Sequence, residues 1–304
     1  MVAGQSTQVT VIIVTYNSAG VIAQTLQACA ALPQIASCIV VDNASTDETA
    51  QIVRRATGVL LLGNTENVGF GTANNRALAR VRTPYALLLN PDASLDAAAL
   101  SELLTAAVRY PRAAILAPLT LGDDGAMHHC YKRSVFDREI SGGTFEAPEG
   151  DCCADFLSGA VWLVRMDALR EIGFFDERLF LYYEDDDLCL RTRQKGYELI
   201  VVPSAQARHR MGQSTASSPG VTALKQRHMA WSRLYLERKY HGQLRATMLA
   251  LRLTAIYLAK GLAYAMTGQS EKRRRYQARL SGVWYFTVQG SPRQEVPALQ
   301  PDQA

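Results

Sequence analysis

The sequence lacks the cysteine spacings that mark zinc-binding and disulfide-linked domains. Its six cysteines contain no C-x-x-C pair, and two of them, Cys152 and Cys153, are adjacent. This pattern argues against a structural zinc site and against a disulfide framework. A reducing cytoplasm is therefore the expected compartment.

An export signal and a nucleic-acid module are also missing. Residues 1–7 lead directly into an apolar segment, without the basic and then apolar stretches of a secretory signal, so we do not expect export. There are no internal repeats, and no zinc finger or RNA-recognition signature accompanies the basic residues. We therefore do not expect nucleic acid as a partner.

What the chain does have is enough apolar sequence for a large core. It has 304 residues, of which 48 % are hydrophobic, and its mean hydropathy is −0.05. This composition is typical of a soluble, enzyme-sized protein. We expect an ordered domain over 1–220, a basic helical region over 221–290 and a disordered tail with three prolines over 291–304.

Strand-like and helix-like segments alternate along the chain. The predicted strands are 9–14, 38–41, 59–62, 85–89, 161–164 and 199–202. The predicted helices are 21–31, about 46–56, 74–81, 97–109, 167–172 and 184–195. Ser45 and Glu48 have the spacing of a capping box, Asp96 of a helix cap, and 123–155 has the composition of a loop. The alternation predicts an α/β fold with a doubly wound, mostly parallel sheet.

Two acidic residues, Asp42 and Asp92, each end a buried-looking apolar run, and fifty residues separate them. Because ligands bind at the carboxyl ends of strands in open α/β sheets, both acids are expected in one pocket, with a nucleotide and its metal. Asp42 alone could be a strand-end cap and Asp92 a turn residue. Pro91 ends its strand and exposes the next carboxylate, and Mg²⁺ favours few protein oxygens together with substrate phosphates.

The segment 67–75 combines small residues with amides. Gly69 and Gly71 let a backbone approach a phosphate or a ribose, and the nearby asparagines can hydrogen-bond either group at a helix start. A lone G-x-G is weak as a motif, and the full dinucleotide fingerprint is not present.

An acidic cluster, 184–187, and His209 complete the set of chemical groups. Acidic runs are commonly solvated, but this one follows a heavily apolar segment, and crowded carboxylates raise one another's pKa, which suits a general base. His209 follows a predicted strand and is either a surface residue or a metal ligand that converges on Asp92.

Taken in order, these residues resemble glycosyltransferase family 2, the inverting enzymes of the GT-A fold, and more narrowly its bacterial rhamnosyltransferase-like branch. The resemblance extends from residue 9 to about 214 through the ordered segments 15–17, 42–47, 67–70, 90–92, 158–160, 173–177, 184–188 and His209. It implies a nucleotide-sugar half over about 1–120 and an acceptor half over about 121–220.

The resemblance also implies roles for single residues. Nucleotide-sugar binding falls on Thr15, Tyr16, Asn17, Asp42, Asn67, Gly69, Phe70, Asn74 and Asn75, and acceptor binding on Ser158, Gly159 and Glu184. Asp185 matches the catalytic base, although a shift in helix phase would present Asp186 or Asp187 instead. Only Asp92 is charged where the family often has Asp-x-Asp, which makes His209 more useful as a second ligand for Mg²⁺ or Mn²⁺.

The C-terminal third is strongly basic. Between 225 and 279 there are thirteen lysines and arginines against two glutamates, an excess of +11. The segment 244–266 is apolar except for three cations on one helical face, which suits a helix in a membrane interface. A spanning helix would place those cations in hydrocarbon, and packing on the rest of the chain or on a second subunit is the other alternative. The basic run 272–275 with aromatic 284–286 favours an anionic membrane surface.

The function expected from the resemblance is an inverting sugar transfer from a dTDP- or UDP-sugar, with dTDP-rhamnose favoured, to a lipid-linked or polysaccharide acceptor at the inner face of the cell membrane. A sugar nucleotidyltransferase would need a basic, glycine-rich loop that 15–18 lacks. A non-catalytic sugar-nucleotide binder would not need the acids at 184–187. A homo-oligomer stays open, and donor and acceptor choice would depend on the loop 123–155.

Overall fold

A computed structural model describes residues 8–128, 130–132, 147–210, 212–215 and 218–289. The predicted disordered tail and part of the predicted loop lie outside these residues. The chain forms two compact units. The first comprises Met1–Asp176 and Asp185–Ala216, and the second comprises Glu177–Glu184 and Ser217–Ala304. The boundary predicted near residue 220 stays a prediction.

The first unit is an α/β structure. Its described strands are β1 Val9–Thr15, β2 Ile35–Asp42, β3 Val59–Gly63, β4 Tyr85–Leu89, β5 Ala93–Leu95, β6 Ala113–Leu121, β7 Tyr131–Lys132, β8 Cys152–Cys153, β9 Phe156–Leu157, β10 Val161–Arg165 and β11 Glu198–His209. Its described helices are α1 Ala19–Ala30, α2 Thr49–Arg55, α3 Phe70–Leu78, α4 Ala97–Arg109, α5 Met166–Ile172 and α6 Glu184–Gln194, the first residue of α6 belonging to the second unit.

The strands form one large, mostly parallel sheet, as predicted. Its order among the described strands is β3-β2-β1-β4-β10-β6-β11-β5, with β8 also paired to β11. Strands β1 to β4, β6 and β11 point in one direction, while β10 runs antiparallel between β4 and β6. Every residue of β1 is buried, which is expected of a central strand covered on both faces. Leu100 and Leu103 of α4 are wholly buried in the core on one face.

Several local predictions are confirmed and others are wrong. Strand β4 and helix α4 have the predicted bounds, and the Asp96 carboxylate accepts a hydrogen bond of 2.8 Å from the Ala99 nitrogen. The capping box is wrong, because α2 begins at Thr49 and the Ser45 hydroxyl bonds to Asp42 instead. Strand β6, an apolar run, has no counterpart among the predicted elements.

Strand β11 is longer than predicted and changes its register. Its pairing to β6 shifts between Val202 and Gln206, next to Pro118 on the partner strand. Pro118 and Pro203 cannot donate ladder hydrogen bonds, so the regular pairing is interrupted where the two prolines meet. The end of β11 then pairs with β5, and His209 lies opposite Ala93. His209 is therefore the last residue of a strand, and not a residue beyond one.

The second unit is helical. Its described helices are α7 Pro219–His241, α8 Gln243–Met266 and α9 Ser270–Trp284, followed by the π-helical turn Tyr285–Gln289. Helix α7 begins at a cap formed by Ser218, whose hydroxyl accepts a 3.2 Å hydrogen bond from the Val221 nitrogen. The three helices share a core that includes Trp231, Leu234, Leu253 and Val283.

Candidate active site

Polar residues collect where β1, β2 and β4 end. The register places Thr15 of β1 beside Asp42 of β2, and Leu89 of β4 beside Val161, the first residue of β10. The parallel strands therefore deliver Asp42 and the segment after β4 to one edge of the sheet. The antiparallel β10 brings the preceding segment, with Ser158 and Gly159, to the same edge.

Asp42 is held by three donors. Its Oδ1 accepts hydrogen bonds from the hydroxyls of Thr15, at 3.1 Å, and Ser45, at 2.5 Å, while Oδ2 accepts one from the Ser45 nitrogen at 3.2 Å. The carboxylate is buried and its orientation is fixed before any ligand arrives. The bonds from Ser45 to Asp42 were not predicted from the sequence, although a hydroxyl three residues after a strand-end aspartate is typical of a local turn.

The turns after β1 and β2 contain backbone that only a few residue types tolerate. Asn17 has φ 50° and Ala44 has φ 62°, both in the left-handed region. The Asn17 carboxamide oxygen accepts a 2.8 Å hydrogen bond from the Thr46 nitrogen, and the Asn17 nitrogen donates to the Ser45 hydroxyl at 2.9 Å. Strained backbone of this kind persists where surrounding bonds enforce it, and it is concentrated at functional sites. Tyr16, another residue predicted to bind the nucleotide sugar, lies in the turn after β1 and is partly exposed.

The loop before α3 is fixed by an asparagine that was not among the predicted site residues. Asn43 is buried, its amide nitrogen donates to the Asn67 oxygen at 2.7 Å, and its own oxygen accepts from the Val68 nitrogen at 3.0 Å. Gly69 has φ 88°, which allows the chain to enter α3 at Phe70, four residues before the predicted start. The amide of Asn67 thus serves the fold of the loop.

The two asparagines of α3 also have internal partners. Asn74 is buried and donates to the Phe70 carbonyl at 3.0 Å. Asn75 donates to the Phe175 carbonyl and accepts from the Phe175 nitrogen, both at 2.9 Å. The two bonds of Asn75 join α3 to the turn after α5. Contact of Asn74 and Asn75 with a nucleotide stays a prediction.

Asp92 and His209 lie together, so the convergence that the sequence analysis considered is present in the structure. The Nε2 atom of His209 is 3.4 Å from the Asp92 Oδ1 atom and also 3.4 Å from the Asn90 amide nitrogen. Within the described residues, both carboxylate oxygens of Asp92 are buried and neither has a hydrogen bond of ordinary length. Burial alone would raise the pKa of Asp92, but the His209 ring and the Ser214 hydroxyl outweigh it and lower that pKa.

A further histidine, His128, borders this pair and was missed in the sequence. Its ring packs edge-to-face on His209, with 6.3 Å between the centroids. Burial, with the charge of His209, lowers the pKa of His128 and favours its neutral form. No group of three or more His, Cys, Asp or Glu side chains in the described part of the chain is arranged to hold a metal ion. That Asp92 and His209 are ligands of a metal ion stays a prediction.

Asp185 lies at the start of α6, against the segment before β10. Its Oδ2 accepts a hydrogen bond from the Gly159 nitrogen at 3.3 Å, and its Oδ1 accepts one from the Asp186 nitrogen at 3.0 Å. Burial raises the pKa of Asp185 and outweighs these two hydrogen bonds. A Cβ atom on Gly159 would lie 3.4 Å from the Asp185 Cβ, so the absence of a side chain leaves room beside the carboxylate.

The other acids of the cluster have different surroundings. Asp187 is wholly buried and its Oδ2 accepts a 2.8 Å hydrogen bond from Arg191 Nε. The same guanidinium donates to the carbonyls of Ile172, Gly173 and Phe174. Asp187 is thus committed to an ion pair that holds the turn after α5, whereas Asp185 is partly exposed.

Glu184, predicted to contact the acceptor, is buried and belongs to the second unit. It follows two tyrosines, Tyr182 and Tyr183, that have φ 65° and 67°. Consecutive aromatic residues in the left-handed region are uncommon and cost about 1–3 kcal/mol each. The acidic helix start is therefore reached through strained backbone.

One groove of the first unit lies away from these residues. Its volume is about 590 Å³, and it is lined by Leu26, Ile35, Ile52 and Val59, among others. Ile35 and Val59 begin β2 and β3, so this groove lies at the amino ends of the strands, away from Asp42. Its lining offers no acid or histidine for the chemistry of the opposite edge.

Comparison with known protein families identifies the family of this chain. The family model of glycosyl transferase family 2 matches residues 10–173, which contain Thr15, Asp42, Asp92 and Gly159. The chain belongs to glycosyl transferase family 2. The resemblance of the sequence to this family is thereby confirmed, and the protein is a glycosyltransferase.

Two curated relatives of this glycosyltransferase are rhamnosyltransferases. The N-acetylglucosaminyl-diphospho-decaprenol L-rhamnosyltransferase of Mycobacterium tuberculosis is 31 % identical over 254 residues, which cover 68 % of this chain and 80 % of the relative. The rhamnosyltransferase WbbL of Escherichia coli K12 is 31 % identical over 163 residues, which cover 46 % of this chain and 60 % of that protein.

A solved structure supports the GT-A-like fold of this glycosyltransferase. The mannosyltransferase PcManGT from Pyrobaculum calidifontis, in complex with GDP-Man and Mn²⁺, superposes with a TM-score of 0.55. The match covers 93 % of this chain and 87 % of that one at 16 % identity. At that identity the likeness extends to the fold alone.

Proposed function

We propose that this glycosyltransferase moves L-rhamnose from dTDP-rhamnose to a hydroxyl of a lipid-linked acceptor, with inversion at the anomeric carbon. The observation that carries the proposal is the contact of Asp185 with Gly159 at the edge of the sheet where Asp42 and Asp92 also lie. The names of the two curated relatives supply the sugar, and that of the mycobacterial one supplies the class of acceptor.

Asp185 is the proposed general base. Its carboxylate takes the proton of the acceptor hydroxyl while the hydroxyl oxygen attacks the anomeric carbon and the bond from that carbon to the diphosphate oxygen breaks. A single displacement from the face opposite the diphosphate inverts the centre. Burial raises the pKa of Asp185, which increases its strength as a base, and the bonds from Gly159 and Asp186 hold it in position.

Asp92 and His209 are the proposed ligands of a divalent cation, Mg²⁺ or Mn²⁺. The orphaned carboxylate of Asp92 beside an imidazole nitrogen fits such an ion, with the remaining positions left to water and substrate phosphates. When bound, the cation would neutralise charge on the departing diphosphate. Asn90 and the ring of His128 hold the imidazole in place.

The remaining predicted residues are proposed to form the donor pocket. Asp42 faces the base and sugar of the nucleoside, with Thr15 and Ser45 fixing its orientation, and Tyr16 and Asn17 form the adjacent turn. The loop of Asn67, Gly69 and Phe70, supported by Asn74 and Asn75, borders the ribose and diphosphate. The ring of Phe70 packs edge-to-face on Phe175 at 6.3 Å. Ser158 and Gly159 are proposed for the acceptor side, and acceptor contact by Glu184, a residue of the second unit, stays a prediction.

An acceptor that carries a polyprenyl chain is held in a bilayer. We therefore place the reaction in the cytoplasm, at the inner face of the cell membrane. An anionic membrane surface is the partner that the basic helical end would meet there.

The test is transfer by the purified full chain. dTDP-rhamnose, UDP-sugars and GDP-mannose are offered with Mg²⁺ to a short-chain prenyl-diphospho-N-acetylglucosamine, and the product linkage is determined by NMR. We expect rhamnose in the inverted configuration, and loss of transfer on Asp185→Asn but not on Asp155→Asn, a surface acid of the same unit. Retention of configuration would reject the single displacement. Donor binding without transfer or hydrolysis of any sugar would favour a non-catalytic sugar-nucleotide binder.

A further inference from the structure

Helix α8 presents a line of large apolar side chains to solvent. The apolar stripe, as we call it, consists of Leu244, Met248, Leu251, Leu258, Leu262 and Met266, each between 50 % and 83 % exposed. At about 100° per residue these positions fall within one sector of roughly 80°. At about 1.5 Å per residue the stripe is about 33 Å long. Soluble proteins rarely expose so continuous an apolar surface without a partner for it.

The stripe is separate from the core of the second unit. The side of α8 that faces α7 and α9 carries Ala246, Ala250, Leu253 and Tyr257, all of them buried. Helix α8 therefore has two apolar faces, of which one is already satisfied inside the unit. The stripe does not contribute to that core, so a partner outside the second unit can cover it.

One border of the stripe is cationic. Arg245 and Arg252 are exposed along this border, and α8 contains no aspartate or glutamate. Arg245 lies 3.9 Å from Glu237 of α7 and keeps 65 % of its side chain exposed. The start of α9 adds exposed Lys272, Arg273 and Arg274 to the same unit. The partner must therefore combine an apolar interior with negative charge.

A second copy of α8 fits this requirement poorly. The spacing of the stripe resembles a coiled-coil seam, but the flanking positions hold arginine, threonine, alanine and glycine and no acid that could pair with arginine. In an antiparallel pair with the two stripes overlapped, Arg252 would face Leu258 of the other copy. A second copy thus offers no negative charge to the arginines beside the seam.

A membrane-spanning helix also fits poorly. By length and composition α8 is able to cross a membrane, with a mean hydropathy of 1.3 in its most apolar window. Its inner face, however, packs against α7 and α9, and α9 begins with four consecutive cations. Crossing the bilayer would require α8 to leave these helices or to draw their charges into hydrocarbon.

We propose that the apolar stripe of α8 docks on the surface of an anionic bilayer. The helix lies in the plane of the interface, with the stripe among the acyl chains and the stems of Arg245 and Arg252 extending to lipid phosphates. Apolar burial and lipid charge then act together. This inference does not depend on the donor or the acceptor of the proposed reaction.

The test is co-sedimentation of the full chain with vesicles of phosphatidylcholine, with and without phosphatidylglycerol. We expect binding to the anionic vesicles, weakened but not abolished by salt, because screening removes only the Coulomb part. Leu251→Gln with Leu258→Gln should weaken binding by about tenfold per leucine. The matched control, Leu60→Gln with Val108→Gln, changes two exposed apolar residues of the first unit and should bind like the wild type.

A second pair of variants tests the charge. Arg245→Glu with Arg252→Glu should reduce binding to anionic vesicles and its salt dependence, whereas Arg54→Glu with Arg82→Glu, exposed arginines of the first unit, should have a smaller effect. Transfer to a short-chain soluble acceptor should be the same in all four variants. This readout separates a failure of the docking surface from a failure of the proposed function.

Four outcomes would overturn the proposal. The intact protein could bind neither kind of vesicle, or the stripe variant could bind as well as its control. A dimer that forms without lipid and is lost in the stripe variant, measured by light scattering, would assign the stripe to a second copy. Resistance of the membrane-bound protein to alkaline carbonate extraction would assign α8 to a spanning role.

Discussion

The carboxylate of Asp185 accepts a hydrogen bond of 3.3 Å from the main-chain nitrogen of Gly159. This bond joins the start of α6 to the segment that leads into β10, two places separated by 26 residues in the sequence. Gly159 both donates this bond and, having no side chain, leaves room beside the carboxylate, which is partly exposed.

Asp185→Asn is expected to lower the turnover of sugar transfer by about 10²- to 10⁴-fold, the usual contribution of a general base. Asparagine keeps an oxygen that can accept from Gly159, so the fold and the affinity for the donor nucleotide should change little. Initial rates and calorimetric titration with dTDP measure the two effects. Asp155→Asn is the control for removal of a carboxylate, and a variant Asp185→Asn with most of its turnover would assign the base elsewhere.

Asp92→Asn is expected to remove the stabilisation that Mn²⁺ adds in the presence of dTDP. The substitution takes the charged ligand from the proposed site of Asp92 and His209, so the ion should lose most of its affinity. Thermal unfolding with and without Mn²⁺ and dTDP measures the effect apart from activity. Asp123→Asn, which removes an exposed acid paired with Arg210, should leave the shift unchanged. An equal Mn²⁺ shift in Asp92→Asn and the wild type would remove Asp92 from the metal site.

The fold was largely predictable from the sequence, because short apolar runs and helix caps act locally. β4 and α4 have their predicted bounds for this reason. The start of α3 was not predictable by the same means, since it depends on the positive φ of Gly69 and on bonds from Asn43, a residue of another strand. The neighbourhood of His209 depends on two prolines that meet only when β6 and β11 pair.

The candidate site was also predictable only in part from the sequence. Ordered motifs located Asp42, Asp92 and Asp185, because each occupies the end of an element. The sequence could not show which acid of the cluster is paired. Only the structure shows that Arg191 pairs with Asp187 while it also donates to the turn after α5. His128 was not identified, because its proximity to His209 arises from the turn after β6 and not from a sequence pattern.

The ion pair of Asp187 and Arg191 is expected to stabilise the fold. Arg191→Met leaves the wholly buried Asp187 without its cation and removes the donors to three carbonyls, so the free energy of unfolding should fall by about 3–5 kcal/mol. Urea unfolding followed by circular dichroism measures it. Arg193→Met, on the same helix, breaks a partly exposed pair with Asp155 and should cost less than about 1 kcal/mol. Equal losses in the two variants would contradict the assigned role of the buried pair.

Asp185→Asn is also expected to make the protein more stable at neutral pH, and the sign follows from the pKa. Burial raises the pKa of Asp185 in the folded protein above the ordinary value of 3.8, so the folded state binds this proton more tightly than the unfolded state does. The free energy of unfolding then decreases as the pH rises from below 3.8 to above the raised pKa, because folding keeps the charge buried. Asparagine carries no charge and escapes this penalty.

The stabilisation by Asp185→Asn should therefore be largest at neutral pH and should diminish as the pH falls, since the wild-type carboxyl becomes protonated and neutral as well. Unfolding temperatures of both proteins between pH 4 and pH 8 measure the difference. Asp155→Asn, in which a partly exposed carboxylate paired with Arg193 is removed, should show no such gain at neutral pH. A stabilisation that is constant across this range would be due to packing and not to charge. A stabilisation that declines toward acid pH would show that the fold retains this carboxylate at the cost of stability. A base for the acceptor hydroxyl requires such a carboxylate.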